Sequence, residues 1–167
     1  EMLFNPSYSV EEMQALYQGL IDQGIKQIFS IHTSSSYSND YVIAKQASQG
    51  LDANIRVIDS HSFGGGLGLL VEQIAHGILN QETSTQLELL LSKQIPLIYQ
   101  IGFFDKTSYL LLGKQDVKRS PLQNELANSL LNFRPVFICR DAKQKISVES
   151  CFSNKSAAID FIKEMVQ

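Results

Sequence analysis

Apolar positions along this chain change period several times, and each change marks an element. Behind Ser9, with Glu12 three residues later as a capping-box partner, Met13, Leu16, Tyr17, Leu20 and Ile21 recur at helical spacing, which predicts a helix stopped by Gly24. Ile25 to Ile31 is a nearly continuous apolar run, the pattern of a strand covered on both faces. It leads through Thr33–Asp40 into a helix of about ten residues centred on Tyr41–Ala47. Asn54–Asp59 repeats the strand and Leu67–Leu79 the helix. Two such units about 30 residues apart describe βαβ connections with a right-handed crossover, hence a parallel sheet whose ligand edge lies at the strand C-termini. His32 and His61 take equivalent places in the two units.

Past Thr83 the texture changes. Thr83-Ser84-Thr85 predicts a helix cap, Pro96 breaks the helix that follows, and Leu97–Gly102 reads as a strand. Tyr109–Leu112 is apolar, Lys114–Arg119 is loop-like, and Pro121 opens a helix to about Asn132. Arg134–Arg140 and Lys145–Phe152 are strand candidates joined by Asp141–Gln144, and Ser153 or Asn154 caps a last helix carrying Ala158, Phe161, Ile162 and Met165 on one face. The expected fold class is therefore α/β: a parallel-sheet lobe over 1–82 and a smaller α+β lobe over 83–167, with a cleft between them as the default ligand site.

At 167 residues and a net charge of −3, with Lys and Arg scattered, the chain offers no basic face for nucleic acid or an anionic membrane. An anionic ligand would have to be held by dipoles and hydroxyls, aided by few cations. Cys139 and Cys151 sit beside apolar residues and read as ordinary reduced core thiols, which suits a cytoplasmic protein. The sequence shows neither a membrane span nor a signal peptide. Glu1 precedes Met2, so the N-terminus is expected to be cut or engineered.

Chemistry concentrates at the turn after the first strand. Ser34, Ser35, Ser36 and Ser38 bring hydroxyls to a helix start, a set suited to a carboxylate or phosphate. The plainer reading, also open on the residues alone, is that one serine caps the helix and the others tolerate solvent. Gly64 to Gly68 has the wrong spacing for a dinucleotide fingerprint. A Ser hydrolase using Ser35 or Ser60 with His32 or His61 lacks a nucleophile elbow and an evident carboxylate partner. The histidines and cysteines lack metal-ligand spacing, so no metal and no cofactor are expected.

Four blocks, in order, resemble the DegV family. Asn5-Pro6-Ser7 stands at its T-S-Q-P-S segment, and Ser30-Ile31-His32-Thr33-Ser34-Ser35-Ser36-Tyr37-Ser38 resembles its I-S-S-G-L-S-G-T-Y turn. Val57-Ile58-Asp59-Ser60-His61-Ser62, continued by Gly66-Leu67-Gly68, is similar to V-I-D-S-x-S…G-L-G, and Leu130-Leu131-Asn132-Phe133-Arg134-Pro135-Val136 to L-L-N-I-K-P-I. The resemblance implies a bacterial, non-enzymatic carrier of a long-chain fatty acid, the tail in an apolar tunnel and the carboxylate at the interdomain opening, presented to a separate fatty-acid kinase. Carried over residue by residue, it places the head group on Ser35 and Ser38 with Ser34 in support, and Asn5, His32 and Lys114 as further supporting residues.

This sequence also departs from the family pattern. Leu3 and Phe4 replace hydroxylated residues, Ser36 and Asn39 replace glycines, and Leu111-Leu112-Gly113-Lys114 stands for R-R-G-G-R-I. The family's opening D-S strand and closing H-x-G-P segment have no counterpart, so a piece of a longer protein or a reduced relative is expected. The alternative function is a DegV-like protein that has lost lipid binding and serves as an interaction or regulatory module; an enzyme acting on a small anion is the third reading.

Overall fold

The computed structural model describes residues 8–104, 133–139 and 147–166, which fall into two compact units, one running to Ile98 and one starting at Tyr99. Asn5, Lys114, the Tyr109–Leu112 stretch, the Pro121 helix, the Leu130–Asn132 block and the Asp141–Gln144 connection lie outside the described residues.

In the first unit, α1 (Val10–Asp22) opens on the expected capping box: the Ser9 hydroxyl accepts the Glu12 N–H at 3.1 Å and the Glu12 carboxylate accepts the Ser9 N–H at 2.7 Å. Gly24, at φ +89°, lets the chain leave the helix in a conformation costly for any other residue. Strands β1 (Gln27–His32) and β2 (Asn54–Asp59) pair in parallel, Gln27 opposite Asn54 and His32 opposite Asp59, with α2 (Asp40–Ala47) between them in sequence. This confirms the α/β class and the parallel pairing.

Alternating residues of the strands feed two separate cores, which explains the nearly continuous apolar run. Ile28, Ile55 and Val57 pack with Met13 and Tyr17 of α1 and Ala44 and Ala47 of α2. Phe29, Ile31 and Ile58 pack instead with Leu70 and Ile74 of α3 (Gly64–Leu79) and Leu87 and Leu91 of α4 (Ser84–Gln94). Helix α3 begins three residues before Leu67: Phe63 is its extended N-cap, and Gly64, at φ +50°, takes the first helical place. The glycine run is thus the first turn of the helix and not a loop ahead of it. Thr83 and Gln86 form a second capping box at α4, and Pro96 lies in a 3-10 turn over Ile95–Leu97 that delays the next strand to Gln100.

Gly77 is where α3 meets α4. A Cβ there would collide with the Leu87 side chain, which is itself buried and has no room to yield, and would press on Glu82. Gly77→Ala should therefore destabilise the protein by about 1–3 kcal/mol despite alanine's better helix propensity; a urea midpoint equal to or above that of the parent protein would contradict this packing.

In the second unit β3 (Gln100–Phe103), β4 (Arg134–Cys139) and β5 (Ser147–Phe152) form an antiparallel sheet in that order, and α5 (Lys155–Val166) packs on it. Gly102 lies beneath the Phe137 ring, where a Cβ would come within 2.8 Å of Cζ. Asn154 caps α5, its side-chain oxygen accepting the Ala157 N–H at 2.8 Å. Both cysteines are free; Cys139 is buried as expected, but Cys151 is exposed, because its neighbour Phe152 turns to Phe161 of α5 and Cys151 therefore points to the opposite face of the strand. Among the described residues no helix is long and apolar enough to cross a membrane.

Candidate functional site

The C-terminal ends of β1 and β2 lie side by side, and the two turns that follow are bonded to each other. Ser60 donates its N–H to the His32 carbonyl at 3.1 Å, and Ser34 donates its N–H to the Ser62 carbonyl at 2.8 Å. The rings of Tyr37 and Phe63 meet edge to face, 5.6 Å between centroids, and add an apolar contact between the same two turns. Ser34, Ser60 and Ser62 are fully buried. Small hydroxylated residues are needed there because the backbones approach closely and each polar group must find a partner inside.

The four serines of the first turn have different fates. Ser34 works within the turn: its hydroxyl accepts the Ser36 N–H at 3.2 Å and its carbonyl accepts the N–H groups of Tyr37 and Ser38 at 2.9 and 3.1 Å. Ser38 is half-buried and its oxygen accepts the Asp40 N–H at 3.1 Å, which fixes the entry into α2 and leaves the hydroxyl proton available. Ser35 is exposed and its hydroxyl has no partner among the described residues. Its N–H, however, already faces the Asp59 carboxylate, at 3.2 and 3.4 Å from the two oxygens.

Asp59 is the residue that pattern reading leaves without a role. Its carboxylate also accepts the His61 N–H at 2.9 Å and lies 3.7 Å from His61 Nδ1, which holds His61 in its left-handed conformation at φ +48°. The two strand ends therefore carry their own anion at the N–H groups that a turn of this kind would offer to a ligand. The signal was in the register: His32 pairs with Asp59, whereas His61 comes two residues later, so the two histidines are not equivalent in the sheet.

His32 shares the α1- and α2-facing side of β1 with Ile28 and Ser30. Its Nε2 is 2.7 Å from the Ser30 hydroxyl, which is in turn 2.7 Å from the Tyr17 hydroxyl. Burial holds the imidazole below its ordinary value of 6.5, against the opposing pull of the Asp40 and Asp59 carboxylates. Burial likewise raises the Tyr17 phenol, with the bond to Ser30 acting in the opposite direction. For a base whose folded value is depressed, the unfolded chain takes up the proton first as pH falls. Stability contributed by neutral His32 is complete above 6.5 and is lost below it. Thermal unfolding between about pH 7 and about pH 5 should show this loss, and His32→Gln should remove that component of the pH dependence; equal slopes for the two proteins would contradict it.

Among the described residues nearby, Lys45 lies over the Tyr41 ring at 5.8 Å from its centroid, and Arg56 is turned to Glu88. Arg56 Nε is 3.1 Å from Glu88 Oε1, close enough to pair the charges although the N–H misses the oxygen's direction. A depression of about 270 Å³ follows β2 and is lined by Tyr41, Lys45, Ile55, Arg56, Val57 and Glu88 among others, with no serine of the first turn in its wall. The site is thus made of hydroxyls, neutral N–H groups and two carboxylates.

Comparison with known proteins follows the same lines. The model of a family described as an uncharacterised protein, DegV family, matches residues 6–166. A DegV domain-containing protein of Staphylococcus aureus (strain COL) is 31% identical over 162 residues, 95% of this chain and 54% of that protein. The chain spans about half the length of the curated relatives it matches. A crystal structure described as a DegV lipid-binding protein from Thermotoga maritima superposes with a TM-score of 0.78 at 17% identity, over 96% of this chain and 54% of that one. A stearic acid-binding protein from Eubacterium ventriosum gives 0.74 at 20% identity, over 96% and 54%. Identities this low speak for a shared fold.

Proposed function

The chain belongs to the DegV family, and we propose that it binds a long-chain fatty acid with the carboxylate at the Ser35 and Ser38 hydroxyls, Ser34 holding the turn in shape. The observation that carries this reading is the exposed Ser35 hydroxyl, without a partner among the described residues, in one turn with Ser38 at the end of β1 and following a neutral histidine. The solved relatives described as binding lipid or stearic acid share the fold. Asp40 and Asp59 disfavour a further negative charge, so the head group contributes orientation and the tail the affinity, at about 0.8 kcal/mol per buried CH₂. Asn5 and Lys114 remain candidate supports from outside the described residues. In this reading the protein performs no chemistry itself, and hands the acid to a cytoplasmic kinase that phosphorylates the exposed carboxylate.

Mass spectrometry of the purified, denatured protein should release a fatty acid, and labelled oleate should bind saturably. Repeated purification without any acid, together with no oleate binding, would sink the proposal. One observation favours the second reading, an interaction module that has lost lipid binding: Asp59 already occupies the Ser35 and His61 N–H groups. Under that reading oleate would not bind.

A further inference from the structure

Tyr17, Ser30 and His32 come from a helix and a strand, and none of the three owes its position to the serine turn. Tyr17 is 4% exposed, and its hydroxyl has one partner among the described residues, the Ser30 oxygen at 2.7 Å. A buried phenol proton left without an acceptor costs about 1–3 kcal/mol, so Tyr17 donates to Ser30. Ser30 has a single proton and gives it to the next acceptor in line, His32 Nε2, also at 2.7 Å. A neutral imidazole that accepts at Nε2 carries its hydrogen on Nδ1. Nδ1 has no hydrogen-bond partner among the described residues, and neither His32 nitrogen is within ion-pair distance of a carboxylate. The charged and titratable groups around the ring are Tyr17 on α1, Asp40 on α2 and Asp59 on β2.

We propose that the Tyr17 and Ser30 hydroxyls fix His32 as its Nδ1–H tautomer, and that this N–H is a third donor to the lipid carboxylate, an inference that rests on the fatty-acid reading above. His32 is the last residue of β1 and precedes the serine turn by one residue, so it stands at the same sheet edge as the turn that carries Ser35 and Ser38. Two fixed carboxylates make such a neutral donor useful: it adds a hydrogen bond to the incoming acid without having to hold a proton that burial opposes. Tyr17 and Ser30 are positioning residues that act through the ring.

The test is ¹⁵N NMR of the histidine side chains in the 167-residue protein, with and without oleate, in the parent protein and in Tyr17→Phe and Ser30→Ala. The expected result is a protonated Nδ1 and an unprotonated Nε2 for His32, a shift of the Nδ1 signal on adding oleate, and a mixture of tautomers in Tyr17→Phe. Oleate affinity in that variant should fall about fivefold, less than the loss of a whole hydrogen bond to a carboxylate because part of the mixture still carries the hydrogen on Nδ1. Ser30→Ala interrupts the same line without touching Tyr17 and should give the same mixture if Tyr17→Phe fails to fold. A hydrogen on Nε2 in the parent protein, or tautomers unchanged in both variants, overturns the inference. Oleate binding that leaves both His32 nitrogens unmoved removes the donor role while the proposed function stands; absence of oleate binding removes both.

Discussion

Replacing Leu70 with alanine is expected to lower the unfolding free energy by about 2–5 kcal/mol, a large share of the 5–15 kcal/mol typical of a domain. Leu70 is fully buried on α3, in one cluster with Ile74, Leu87, Leu91 and Ile98, against Phe29, Ile31 and Ile58 of the sheet. Truncation removes three carbons from the place where α3, α4 and both strands converge, and the surrounding leucines have no free volume from which to refill it. Urea unfolding followed by circular dichroism reads the effect as a lower midpoint at unchanged slope. A loss below about 1 kcal/mol would mean that α3 does not rest on the sheet through this residue.

The second large effect is on binding. A hydroxyl donating to a carboxylate contributes about 1.5–3 kcal/mol, so Ser35→Ala should weaken oleate binding at least about tenfold, and the Ser35→Ala/Ser38→Ala pair further still. Ser35 is the cleaner variant: its side chain is exposed and holds nothing else, so stability should stay within about 0.5 kcal/mol of the parent protein. Ser38→Ala also removes the acceptor for the Asp40 N–H and should cost about 0.5–2 kcal/mol in helix entry. Titration with labelled oleate separates the two effects. Parent-like affinity in the double variant would show that neither hydroxyl reaches the head group.

Much of the fold was legible because local rules decide it. Ser9 with Glu12 and Thr83 with Gln86 are reciprocal caps readable from four residues, and the nearly continuous apolar run of Ile25–Ile31 suits a strand with a core on each face. The start of α3 was misplaced because glycine carries no propensity for the helix it opens; Phe63 and the tertiary packing of Leu70 set the boundary instead. Cys151 looked like a core thiol because neighbours in sequence say nothing about which side of a strand faces solvent. At the site, the serine cluster was visible as composition, but its division of labour was not. That Ser34 turns inward, that Asp59 closes on Ser35, and that Tyr17 reaches Ser30 are contacts between residues 13 to 28 positions apart, fixed only once helix and strand dock.

The bonds that tie the two turns together have a dynamic consequence. With Ser34 N–H on the Ser62 carbonyl and Ser60 N–H on the His32 carbonyl, neither turn opens without breaking a bond to the other. Their amide protons should therefore exchange with deuterated water at one shared rate, as a single cooperative patch slower than exposed loops elsewhere. Any lipid or partner that steadies one turn would slow exchange in the other as well, so occupancy at Ser35 is registered some 27 residues later in the chain, at Ser62, without a hinge or a change of fold.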